Sequence, residues 1–170
     1  MSSEDAYFEE YKTSVPARIR QFDAHIAKVI AAQTGAGAGA RAGAGAGGGA
    51  GLSVDADMRV RCLSLLRSLV EDVRTEPFWA PVDVSVIPSY PHYISHPMDL
   101  GTITTRVKGA GYDEEQFAKD VRLVWANCQT FNVEQSVLYG YASILGDKFE
   151  RLFDAWITSP SRPQNPDIQD

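Results

Sequence analysis

Residues 75–98 read TEPFWAPVDVSVIPSYPHYISHPM, from Thr75 to Met98. Pro77, Pro81, Pro88, Pro91 and Pro97 punctuate this stretch. Prolines at that density stop a helix from running through and break a strand ladder. Yet Phe78, Trp79, Val82, Ile87 and Tyr90 make it too apolar for a solvated tether. Long irregular connections inside compact domains are usually functional. This one is expected to pack over one end of a helical bundle and to wall an apolar hollow there.

The sequence on either side of it is helical in pattern. Before it, over residues 54–74, Met58, Cys62, Leu65, Leu66, Leu69 and Val73 form one stripe, with Ser53 or Asp55 as cap. After it, Leu100, Ile103 and Val107 follow Asp99, which stands at an N-cap position. Phe117, Val121, Val124 and Cys128 make a third stripe, and Asp113 with Gln116 resembles a capping box. Leu138, Ala142, Leu145, Phe149, Leu152 and Trp156 make a fourth behind Ser136. Four amphipathic helices without period-two strands predict an all-α four-helix bundle. Its long connection lies between the first and second helices.

Working outward, residues 35–51 read GAGAGARAGAGAGGGAG, a flexible linker by composition. Gly43, Gly45 and Gly48 match G-x-G-x-x-G formally, but inside a repeat and without a preceding strand the match carries no weight. The linker separates an arm, residues 1–34, from a domain over residues 52–159, and residues 160–170 form a polar tail. In the arm, Ile19, Phe22, Ile26 and Ile30 share one face of a helix of about 15 residues, with Pro16 in its first turn and Gly35 at its end. That face either docks on the domain or binds a partner.

Composition excludes several functions. Net charge is −6, and all of it falls from residue 52 onward, 11 bases against 17 acids. No basic patch is present to neutralise phosphates, so direct nucleic-acid binding is not expected. No apolar run of about 20 residues spans a membrane. The acidic start MSSEDAYFEEYK does not read as a signal peptide. Cys62 and Cys128 lie in apolar stripes and read as core residues of a reducing compartment. His25, His92 and His96 lack metal-ligand spacing, so neither metal nor cofactor is expected. No motif places a nucleophile, and His96 and Asp99 flank only a Pro-Met turn; an enzyme is not expected.

Taken in order, Pro77-Phe78, Pro81-Val82, Pro88-Ser89-Tyr90, Pro97-Met98-Asp99-Leu100 with Thr102-Ile103, and Asn127-Cys128 leading to Phe131-Asn132 resemble a bromodomain. That family is a four-helix bundle that binds acetyl-lysine. The resemblance covers residues 76–158, with the first helix fitting by position and periodicity. It implies that the Asn132 amide hydrogen-bonds the acetyl carbonyl and that Tyr90 reaches the same oxygen through a water. Phe78, Pro81, Val82 and Ile87 would form the apolar wall. Cys128 and Phe131 would line the pocket, and Leu138 would stand at its mouth.

Three positions depart from the family's common pattern. Glu76 stands where a shelf tryptophan is frequent, with Trp79 near enough to replace it in part. Pro91 stands for the second tyrosine of a pair, and Phe131 for a tyrosine. Glu76, Asp83 and Glu134 would give the rim an acidic character that suits basic peptides. Asp99 is expected to cap a helix, and Asn127 either braces the loop or reaches the pocket.

The resemblance therefore implies a reader of acetylated lysine on histone tails that acts within a chromatin complex in the nucleus. Two alternatives stand beside it. One is a reader of an acetylated non-histone protein in the cytoplasm. The other is a scaffold with a weak pocket, recruiting partners through the Ile19–Phe22–Ile26–Ile30 face.

Overall fold

Short polar side chains start each long helix of the domain. Ser53 Oγ accepts from Ala56 N at 3.3 Å, Asp99 Oδ1 from Thr102 N at 2.8 Å, Asp113 Oδ1 from Gln116 N at 2.8 Å and Ser136 Oγ from Tyr139 N at 3.2 Å. Each satisfies a helix-terminal N–H that has no partner within its own helix. The computed structural model describes residues 3–34 and 53–158. Within them α1 spans Ser3–Thr34, α2 Val54–Val70, α3 Tyr90–Tyr93, α4 Leu100–Val107, α5 Glu114–Phe131 and α6 Val137–Phe153. A 3-10 turn follows α2 at Val73–Phe78, and a π-helical turn follows α6 at Asp154–Thr158. The Gly/Ala stretch of residues 35–51 and the tail of residues 160–170 lie outside the described residues.

The four stripes meet in one core. Leu63, Leu65, Leu66 and Leu69 of α2, Leu100 and Ile103 of α4, Phe117 and Val121 of α5, and Leu145 and Phe149 of α6 are all fully buried. Burying each such side chain is worth roughly 1.5–3 kcal/mol. Among the described residues there are no strands, and α2, α4, α5 and α6 form the four-helix bundle.

Three local expectations are corrected. The first bundle helix ends at Val70 rather than 74, so Val73 lies in the 3-10 turn. Asp72 causes the break: its side chain caps Arg74 N at 3.1 Å and its carbonyl takes the Thr75 hydroxyl at 2.6 Å. The box at Asp113 is one-sided, because Gln116 Nε2 donates to Asp120 Oδ1 at 3.0 Å. Trp156 falls in the π-helical turn beyond α6.

The arm helix is twice as long as its apolar pattern suggests. It begins at Ser3, and Pro16 lies inside it. A proline removes one rung of the ladder, yet the turns on both sides continue. The face expected on α1 is docked along α2. Phe22 is 4% exposed and belongs to the core, with Ile19, Ile26 and Val29 packed beside it. Ile30 stays 39% exposed at the far end. Asp23 pairs with Arg67 of α2 at 2.6 Å. The docked placement takes away the free apolar face that the scaffold alternative needs.

Two glycines are required by geometry. Gly111, between α4 and α5, has φ of 75°, where side chains strain the backbone. Gly101 opens α4 against the loop: its N–H donates to the Trp79 carbonyl at 3.0 Å, and a Cβ there would sit 2.7 Å from that oxygen. Gly101→Ala is expected to destabilise the fold by about 1–2 kcal/mol through overpacking. Urea denaturation would register this as a lower midpoint at unchanged slope.

Candidate functional site

The long connection folds back on itself. Asp83 Oδ1 accepts from Ser85 N at 2.8 Å and from the Ser85 hydroxyl at 2.5 Å, while its carbonyl takes Val86 N and Ile87 N. This Asx-type turn brings Ile87 back beside Val82. The Ser85 hydroxyl and amide hold the Asp83 carboxyl below its ordinary range. Tyr90 N then bonds the Ile87 carbonyl and opens α3. At the end of the connection, Asn127 Nδ2 of α5 donates to the His96 carbonyl at 2.8 Å. Asn127 is thus a brace that ties the proline-rich loop to the bundle.

Between this loop and the C-terminal end of α5 lies a cavity of about 100 Å³, room for several waters. Pro77, Phe78, Ala80, Val82 and Ile87 wall it from the loop side. Tyr90 and Met98 close a second side, and Val124, Cys128, Phe131 and Asn132 form the α5 side. Leu138, the second residue of α6, stands at the edge and is 36% exposed. Among the described residues, no charged side chain lines it.

The aromatic packing fixes the walls. Phe78 meets Trp125 edge-to-face at 5.2 Å, and Tyr90 meets Phe131 at 4.9 Å. Phe131 also contacts Tyr93 at 5.9 Å, so its ring packs without needing a hydroxyl. Burial pushes the Tyr90 phenol above its ordinary pKa, and it stays a neutral hydroxyl. Burial also pushes the Cys128 thiol up to about 11, against the lowering effect of the Asn132 hydrogen bond. Its Sγ donates to the Leu138 carbonyl at 3.3 Å, joining α5 to α6 behind the cavity.

Asn132 is the residue that ends α5. Its backbone N–H and its Nδ2 both donate to the Cys128 carbonyl at 2.9 Å. A side-chain amide nitrogen has two hydrogens. The second faces only the Cys128 sulfur, at 3.5 Å, a weak acceptor. Asn132 therefore brings to an apolar, uncharged hollow a neutral N–H that a carbonyl oxygen can engage.

Of the expected site residues, Phe78, Val82, Ile87, Tyr90, Cys128, Phe131, Asn132 and Leu138 meet around this one cavity. Pro81 does not line it; its ring is exposed, and Ala80 takes the wall instead. Pro77, Met98 and Val124 were not anticipated. Val124 was within reach of the sequence, since 124, 128 and 132 fall on one helical face. Two expectations about the rim change. Glu76 is not a free acid, because Arg18 of α1 grips it with both terminal guanidinium nitrogens, Nη2 to Oε1 at 3.0 Å and Nη1 to Oε2. Trp79 does not replace the shelf, because its ring turns to α1, against Phe22 at 5.7 Å and under Arg18 at 5.0 Å. Asp83 and Glu134 remain exposed.

No group of three or more metal-ligating side chains gathers among the described residues. No helix among them is long and apolar enough to cross a membrane.

Known proteins share this stretch. The sequence model of the bromodomain family matches residues 62–144, from the middle of α2 into α6. A bromodomain-containing protein of Dictyostelium discoideum is 41% identical over 106 residues, which is 61% of this chain and 7% of that protein. Bromodomain-containing factor 1 of Candida albicans is 40% identical over 101 residues, 55% of this chain and 13% of that one. The SWR1 complex bromodomain subunit bdf1 of Schizosaccharomyces pombe is 34% identical over 93 residues, 53% and 16% respectively. The chain thus spans only a small part of the length of these relatives. The helix order, the loop-walled cavity and the match across residues 62–144 agree, and that stretch of the chain is a bromodomain.

Proposed function

We propose that this protein binds acetylated lysine, on histone tails, and acts by recruitment and not by catalysis. One observation carries the reading: an uncharged apolar hollow offers a single neutral amide donor, Asn132, at its α5 side. Acetylation replaces the lysine ammonium by a methyl and an amide. The methyl suits the walls of Phe78, Val82 and Ile87. The acetyl carbonyl takes the Asn132 N–H that otherwise faces the weakly accepting Cys128 sulfur, and the Tyr90 hydroxyl reaches the same oxygen through a water. An unmodified lysine would bring an ammonium to a site with no carboxylate, and its desolvation opposes binding.

Histone tails fit the surroundings as well as the hollow. The acids Asp83 and Glu134 and the −6 net charge favour a basic peptide. The fission-yeast relative is by name a subunit of the SWR1 complex. That supports a nuclear setting and protein partners within a chromatin complex. Calorimetric titration with an acetylated histone peptide and its unmodified twin tests the proposal. At least about tenfold tighter binding of the acetylated form is expected, a difference of about 1.4 kcal/mol or more. Equal affinity for both would overturn it. An acetylated non-histone peptide in the same titration decides the finer point: tighter binding there than to any histone peptide removes the histone assignment.

A further inference from the structure

The loop segment Glu76–Val82 has two sides with different neighbours. Pro77, Phe78, Ala80 and Val82 face the cavity. Glu76 and Trp79 face away from it, onto α1. Four attachments hold that outer side. Arg18 pairs with Glu76 through both terminal guanidinium nitrogens, the two side chains being 20% and 21% exposed. The same guanidinium lies over the Trp79 ring at 5.0 Å, and Phe22 meets that ring edge-on at 5.7 Å. The Trp79 carbonyl is fastened to Gly101 N of α4 at 3.0 Å. Without α1, the wall would keep only the last of these.

We propose that α1 is a working part of the ligand site, with Arg18 and Phe22 as positioning residues that hold the Glu76–Val82 wall and thereby the width of the cavity. This deepens the acetyl-lysine reading and rests on it for the identity of the ligand. The physical reason is pre-organisation: a wall already in place need not be ordered when the ligand arrives. If loss of the clamp leaves the wall in position about 10–30% of the time, apparent affinity falls about three- to tenfold. A partly buried ion pair is little screened, so the clamp should persist at physiological salt.

The full chain carries the test, as wild type, Arg18→Glu, Phe22→Ala and the charge-exchanged double variant Arg18→Glu/Glu76→Arg. Two readouts are taken: titration with an acetylated histone peptide, and methyl resonances of Val82 and Ile87, with Leu145 as the remote reference. Arg18→Glu is expected to bind about three- to tenfold more weakly and to shift the Val82 and Ile87 methyls but not Leu145. The double variant keeps the net charge and should recover to within about twofold of wild type. Phe22→Ala, compared at a temperature where it is folded, should weaken binding as Arg18→Glu does. The proposal is overturned if Arg18→Glu binds within about twofold of wild type with unmoved methyls. It is equally overturned if the loss is not recovered by the double variant, since a restored pair between positions 18 and 76 would then not hold the wall. Should wild type itself not prefer the acetylated peptide, the acetyl-lysine reading fails. The methyl shifts would then decide alone whether α1 sets the wall.

Discussion

Asn132→Ala is expected to weaken binding of an acetylated peptide by about 1–3 kcal/mol, about 5- to 150-fold, with the fold kept. The loss follows from the geometry at the end of α5. Asn132 is the residue at the cavity with a side-chain N–H that is not already committed to a strong acceptor. Without it, the acetyl carbonyl is buried among Val82, Ile87 and Phe78 with no direct donor. The fold survives because the Cys128 carbonyl still receives the backbone N–H of residue 132 at 2.9 Å. Asn132→Asp makes a stricter comparison, since it keeps the size and replaces the donor by an acceptor carrying charge; it should lose at least as much. Calorimetry measures the affinity, and circular dichroism with a thermal scan checks the fold. Binding of Asn132→Ala within about twofold of wild type would remove Asn132 from the ligand contact.

Asp120→Ala is expected to cost about 3 kcal/mol of stability, lowering the melting temperature by roughly 10 °C. Asp120 is 3% exposed and gathers three donors: Arg106 Nη1 at 2.7 Å, the Tyr112 hydroxyl at 2.8 Å and Gln116 Nε2 at 3.0 Å. It ties α4 and the α4–α5 connection to α5. Burial and the Asp120 carboxylate both push the Tyr112 phenol well above its ordinary range, so that hydroxyl stays a donor. Removing the carboxylate leaves it without its acceptor, and such a loss exceeds the worth of the bond itself. Asp120→Asn keeps an acceptor and should lose about half as much. The cluster lies outside the residues that line the cavity. Peptide affinity measured well below the melting temperature should therefore match wild type within about twofold. A melting temperature within about 2 °C of wild type would show that the cluster is ornamental to the fold.

Much of the site could be read before any coordinates. Asn132, Tyr90 and Val82 were placed by the order and spacing of short fragments, and the structure brings them to one cavity with five of the other six expected residues. Helix starts were equally plain, because an N-cap is a local event: Asp99, Asp113 and Ser136 each bond a backbone N–H three residues on. Pro81 was misplaced for a reason of scale. In an irregular loop no period says which of two adjacent residues faces inward, and here Ala80 does. Met98 was hidden in a fragment whose neighbour Asp99 was read as a helix cap. The extent of α1 was missed because Pro16 was read as a boundary, and a single proline bends a helix without always ending it.

What remained beyond local pattern was the fate of Glu76 and Trp79. Read along the chain, they are an acid at the rim and a candidate shelf beside the pocket. In the fold, both belong to α1: the Arg18–Glu76 pair joins residues 58 apart in sequence, and Trp79 lies between Phe22, Arg18 and the amide of Gly101. Periodicity and capping act within a few residues, and they were enough for the helices and the order of the bundle, while the donor at the end of α5 came from the resemblance to the bromodomain family. Which way a loop side chain turns depends on what a distant helix presents to it, and here that was an apolar face with one guanidinium. Only docking α1 on the bundle could turn an apparent rim acid into half of a buried-edge ion pair, and the back of the loop into a supported wall.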